Sequence, residues 1–157
     1  MLLTNLLRPS LIKPHLEAET RREAIGEVLD LLVQDHEVPY AQRNSVFDEL
    51  LEREGQMGSG MEAGLAIPHA TTDRVEDLLC AFGTAPNGIA FDAIDDQPCK
   101  AVLLMLIPRS AYDERIHTLE TAAEVFGQRG VIDRLSAAKT PQEIYDIIKQ
   151  AEQQIRR

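Results

Sequence analysis

The run Ala101-Val102-Leu103-Leu104-Met105-Leu106-Ile107 is the feature that most restricts how this chain folds. Seven apolar residues are far too few to cross a bilayer as a helix. Flanking prolines at 98 and 108 and the β-favouring content mark the segment 100–107 as a strand. Side chains alternate across a strand, so one that is apolar at every position must be covered on both faces. A second such run, Leu78 to Thr84, predicts a neighbouring strand, and Leu65-Ala66-Ile67 a shorter one ended by Pro68. The cover comes from one-sided helices. Ile25, Val28, Leu29, Leu32 and Val33 form a helical stripe after Thr20, whose hydroxyl is placed to cap it. Val46, Phe47, Leu50 and Leu51 form another after Pro39. Beyond Pro108 three more follow: Ile116, Leu119, Ala123 and Phe126; then Val131, Ile132 and Leu135; then Ile144, Ile147, Ile148 and Ala151, entered through Thr140-Pro141-Gln142-Glu143. Helices at both ends around central strands predict an α/β three-layer sandwich. No repeat, low-complexity tract or linker divides 1–157, so one domain is expected, with its core over about 3–152.

Composition narrows the function. Sixteen Lys and Arg against 26 Asp and Glu give a net charge of −10, which argues against a nucleic-acid binder or a surface adhering to anionic membrane. An acidic surface suits a protein partner with a positive face. Cys80 and Cys99 each lie among apolar residues and are read as reduced core thiols. The N-terminus has no basic segment ahead of its apolar residues and no small-residue cleavage site, so a cytoplasmic protein is expected.

Between Arg53 and His69 the character changes. The stretch 53–64 (Arg-Glu-Gly-Gln-Met-Gly-Ser-Gly-Met-Glu-Ala-Gly) carries four glycines and runs into Leu65-Ala66-Ile67-Pro68-His69. Such a loop can aim backbone N–H groups at an anion. No Gly-Lys-Ser/Thr closes it, so it is not a P-loop, and a plain flexible turn has the same composition. His69 follows a strand ended by a proline, which projects it from the sheet edge. There it is either a turn histidine without a task or a neutral imidazole nucleophile whose second nitrogen takes an orienting hydrogen bond.

These residues resemble the active-site signature of the type 2 EIIA domain of the phosphoenolpyruvate-dependent phosphotransferase system, the fructose/mannitol family that includes nitrogen-regulatory EIIA. Arg53-Glu54 stands at its Arg-Glu pair and Gly64-Leu65-Ala66-Ile67-Pro68-His69 at its Gly-Ile-Ala-Ile-Pro-His. Downstream, the stretch 88–98 (Gly-Ile-Ala-Phe-Asp-Ala-Ile-Asp-Asp-Gln-Pro) is similar to a second family stretch. The resemblance implies a mannitol-type EIIA fold, a mixed sheet of about five strands flanked by helices on both faces. It implies that His69 accepts a phosphoryl group from the carrier protein HPr and passes it to a cysteine on an EIIB domain for sugar uptake. It also implies charge stabilisation by Arg53 and a hydrogen bond from Ser59, with no cofactor and no metal. The alternative is a nitrogen-regulatory-type protein that binds targets according to the state of His69.

Three departures carry weight. Glu62 stands at a family glycine and is expected to face solvent. The family's flanking histidine finds its candidate in His117, but the leucine that should follow it comes one residue late, at Leu119. If Leu119 sets the register, the histidine's place falls on Thr118, and His117 is an ordinary boundary residue. Asp96 and Ala70 replace glycines, while His15 and His36 are read as structural. A metal site or hydrolase built on His69, His117 and Asp73 lacks ligand spacing such as His-Glu-x-x-His.

Overall fold

The two-sided burial demanded by the 100–107 run is met by a helical layer on each face of a sheet. The computed structural model describes residues 2–155. In chain order it contains α1 (Leu3–Leu6), β1 (Ile12–Lys13), α2 (Arg21–Gln34), α3 (Arg43–Gln56), β2 (Leu65–Ala66) and β3 (His69–Thr72). Then come β4 (Leu79–Ile89), β5 (Cys99–Pro108), α4 (Tyr112–Phe126), α5 (Val131–Ala137) and α6 (Pro141–Ile155). The sheet order is β1-β4-β5-β2, with β3 also on β5. β4 and β5 are antiparallel, and β1 on β4 and β2 and β3 on β5 are parallel.

Alternation along β5 divides the core. Ala101, Leu103, Met105 and Ile107 face one cluster, with Val125, Phe126, Leu135, Ile144 and Ile148 from α4, α5 and α6. Val102, Leu104 and Leu106 face the other, with Ile25, Leu29, Leu32, Val46 and Leu50 from α2 and α3. Phe82 of β4 stacks on Phe126 at 5.3 Å between centroids. The three-layer sandwich and the mixed five-strand sheet are therefore as expected. Cys80 and Cys99 fall into opposite clusters, on opposite faces of the sheet. Burial pushes their thiols up to about 12 and about 11 respectively.

Capping also follows the sequence. The Thr20 hydroxyl accepts the Glu23 N–H at 3.2 Å, and the Thr140 hydroxyl accepts that of Glu143 at 3.1 Å. Other elements differ from expectation. α1 and β1 carry no periodic signal long enough to be read. A single 3-10 turn, Tyr40–Gln42, separates Pro39 from α3. β4 runs on to Ile89 past a register shift after Thr84.

The strand expected to stop at Pro68 resumes as β3. Leu65 is opposite Ala101 and His69 opposite Met105, so β2 and β3 keep one register along β5. Pro68 removes a donor but still accepts the Met105 N–H at 3.0 Å, which an edge strand tolerates. Among the described residues, no helix is long and apolar enough to cross a membrane.

Leu103 contributes to the core from the middle of β5 and is fully buried. Leu103→Ala is expected to destabilise the fold by about 2–5 kcal/mol. Tyr40→Ala, at a residue 85% exposed, should stay within about 0.5 kcal/mol of wild type. Urea denaturation of both variants checks the contrast.

Candidate functional site

The glycine-rich stretch folds back against the edge strand. Met57 ends α3, and 59–61 then runs along the outer side of β2. The Ile67 N–H donates to Ser59 O at 3.0 Å, and the Met61 N–H to Leu65 O at 2.7 Å. Gly60 forms the antiparallel bridge to Ala66 between them. A Cβ on Gly60 would come within 2.8 Å of Phe91 O and Ala93 Cα, so close backbone approach requires glycine there. The loop is thus pinned between β2 and the 91–93 segment. Glu62 is exposed and lies outside the cavity beside His69. Asp96 takes a left-handed φ of 58° at its turn, a conformation that aspartate accepts better than most residues.

His69 begins β3 and is half-buried. Its register opposite Met105 turns it to the α4 side of the sheet. Nδ1 lies 2.8 Å from the Ile67 carbonyl oxygen. A carbonyl only accepts, so Nδ1 carries the proton and donates, leaving Nε2 with the free lone pair. Burial holds the ring's pKa below its usual value; the Ile67 bond opposes that shift. The charges of Arg53 and Arg115 lower it further, and Glu54 raises it. Lowering on balance keeps the imidazole neutral, the nucleophilic form, at pH 7.

A cavity of about 610 Å³ opens beside His69, where the two helical layers meet at the sheet edge. Arg21, Glu54, Ser59, Asp92 and Leu119 share its wall. Ser59 Oγ is buried and has no hydrogen-bond partner among the described residues, a donor awaiting an acceptor. Glu54 is buried, and its Oε2 accepts the Ser59 N–H at 2.9 Å. Met57 and Ile94 are 64% and 76% exposed at the same cavity.

The four residues singled out in the sequence are not all brought together. His69 and Ser59 share the cavity, and Arg53 is near enough for its charge to act on His69, although it does not line the cavity. His117 is exposed and borders a separate cavity with Glu120, Glu124 and Glu152. Leu119 is the α4 residue that lines the His69 cavity, and two residues earlier is about 200° around the helix. Thr118 is buried, its hydroxyl donating to Glu114 O at 2.8 Å. Arg115, one turn before Leu119, is the α4 residue whose charge reaches His69; that i, i+4 relation to Leu119 was a signal available in the sequence. Arg21 had none, since only the packing of α2 beside α3 brings it to the cavity. Among the described residues, no three His, Cys, Asp or Glu side chains gather as a metal ion would need.

Residues 5–151 match the family described as phosphoenolpyruvate-dependent sugar phosphotransferase system, EIIA 2. The fructose-specific EIIA component of the phosphotransferase system from Haloferax volcanii is 34% identical over 129 residues, 82% of each chain. A nitrogen regulatory protein from Klebsiella oxytoca is 30% identical over 152 residues, 95% of this chain and 91% of that one. The enzyme IIA of a solved complex of mannitol enzyme IIA with phosphorylated enzyme IIB from Escherichia coli shares the fold. Its TM-score is 0.78 at 22% identity, covering 92% of this chain and 97% of that one.

The site's electrostatics make a direct prediction. In wild type, His69 should titrate below its usual value near 6.5. Arg53→Met removes a cation that opposes protonation, so the midpoint should rise. Imidazole NMR signals followed against pH read both; an unmoved or falling midpoint in the variant would place Arg53 out of electrostatic reach.

Proposed function

The chain belongs to the phosphoenolpyruvate-dependent sugar phosphotransferase system EIIA 2 family, and we propose that it carries a phosphoryl group on His69 between two protein partners. The observation that carries this reading is the His69 ring itself, neutral, with Nδ1 fixed on Ile67 O and Nε2 left as the only nucleophilic nitrogen. The Nε2 lone pair attacks phosphorus on the phosphohistidine of HPr, and the P–N bond to the donor breaks. Its electron pair returns to the donor imidazole. Such transfer passes through a loose transition state and needs positioning and charge stabilisation. Arg53 supplies positive charge toward the phosphoryl oxygens, and the Ser59 hydroxyl, without a partner among the described residues, supplies a hydrogen bond. In the onward step an EIIB cysteine thiolate attacks the same phosphorus, an S–P bond forms, and Nε2 recovers its pair.

The scheme assigns no step to His117, which faces the other cavity. The exposed Met57 and Ile94 at the mouth favour a macromolecular partner over a small substrate. The net charge of −10 favours partners with a positive docking face, in the cytoplasm where HPr and EIIB are found.

The second reading is a regulatory one, favoured by the similarity to the Klebsiella oxytoca nitrogen regulatory protein over 95% of this chain. There the phosphoryl group changes which target binds, through the added charge of roughly two at one site. Transfer onward to an EIIB cysteine separates the two readings.

Incubation with phosphoenolpyruvate, enzyme I and HPr should add one acid-labile phosphoryl group by intact mass, and none to His69→Ala. A labelled His69→Ala chain would move the acceptor elsewhere. Arg53→Ala should still fold and accept the group about a hundredfold more slowly, measured by quenched-flow labelling.

A further inference from the structure

Arg21, Glu54 and Asp92 form a cluster on the cavity wall that the relay leaves without a role. Glu54 is the unusual member, its side chain only 4% exposed. Its Oε2 holds the loop through the Ser59 N–H. A buried carboxylate in the wall of a cavity that takes a dianion has the wrong sign for the task, because little water screens it. Arg21 answers that charge. Its Nη1 lies 3.4 Å from Glu54 Oε2 and 3.3 Å from Asp92 Oδ2. Both contacts exceed the roughly 2.7–2.9 Å of a tight charge-assisted bond; the guanidinium is shared between two carboxylates rather than forked onto one. Asp92 is 82% exposed and screened by solvent, so the carboxylate that needs a countercharge is Glu54.

We propose that Arg21 is a positioning residue for phosphoryl transfer, neutralising the buried Glu54 carboxylate so that the His69 cavity admits a dianion. The proposal rests on His69 being the phosphoryl acceptor. With Arg21 in place, the Glu54 charge is offset, and the positive charge of Arg53 acts on the site unopposed by it. Without it, Glu54 repels the phosphoryl group from the cavity wall.

The test follows phosphorylation by phosphoenolpyruvate, enzyme I and HPr in four chains: wild type, Arg21→Gln, Glu54→Gln and the double variant. Arg21→Gln should slow labelling by about tenfold or more, and adding Glu54→Gln should recover most of that loss. Thr20 still caps α2 in every variant, and circular dichroism checks the fold. If Arg21→Gln does not fold, Glu54→Gln is compared with the double variant, neither of which leaves an unpaired carboxylate buried. Their rates should agree within about threefold. A large loss on removing Arg21 in that background would mean that Arg21 contacts the phosphoryl group itself, which overturns the proposal.

A second readout is independent of the relay. In unphosphorylated protein, Arg21→Gln leaves the Glu54 charge unopposed and should raise the His69 midpoint, and the double variant should bring it back. An unlabelled wild type would sink the acceptor reading; an unmoved midpoint in Arg21→Gln would sink this inference whether or not the relay stands.

Discussion

Everything in this molecule depends on the double-sided burial of β5. Because successive side chains of 101–107 enter different cores, neither helical layer alone would remove the strand from water. The α4–α6 layer and the α2–α3 layer are thus joined through the sheet, where β4 alternates between the same two cores, and they meet again at an edge of it. That meeting place is the edge carrying β2 and β3, and the cavity beside His69 lies there with walls drawn from both layers. The location of the site is a geometric consequence of the core.

The same edge explains why the glycine-rich segment is ordered. An open edge strand would present unpaired backbone groups to other chains. Here 59–61 occupies that edge with two backbone hydrogen bonds, one to Leu65 of β2 and one from Ile67 just beyond it. Opening the loop would uncover the sheet, so the Ser59 hydroxyl and the backbone around it are held in position before any ligand arrives, without an ordering cost at the moment of binding.

How much of this was legible depends on distance in the chain. The β5 run, the α2 helix with its Thr20 cap and the α6 entry at Thr140 are local patterns, and they appeared where the sequence placed them. The place of His69 at the sheet edge was legible because Pro68 marks it from nearby, whereas its role came from the family resemblance and not from local pattern. What the sequence left open required phase or contact. The helix turn between 117 and 119 decides which α4 side chains see the cavity, and one residue of slippage was enough to make His117 a candidate. Arg21 and Glu54 meet only because α2 packs beside α3, and no spacing in the chain encodes that. β3 was hidden for another reason: a proline usually ends a strand, and only the partner strand shows that the register continues through it.

The two thiols gain significance beside the proposed relay, whose onward acceptor would be a cysteine. A thiol competes for a phosphoryl group only as an exposed thiolate. Cys80 and Cys99 are fully buried and kept protonated by their surroundings, and the sheet separates them from one another. The chain therefore contains the same chemistry as its proposed downstream acceptor in a form that cannot short-circuit the transfer. Oxidants find no exposed thiol pair to bridge, so the phosphoryl carriage proposed for His69 is insulated from disulfide chemistry within this chain.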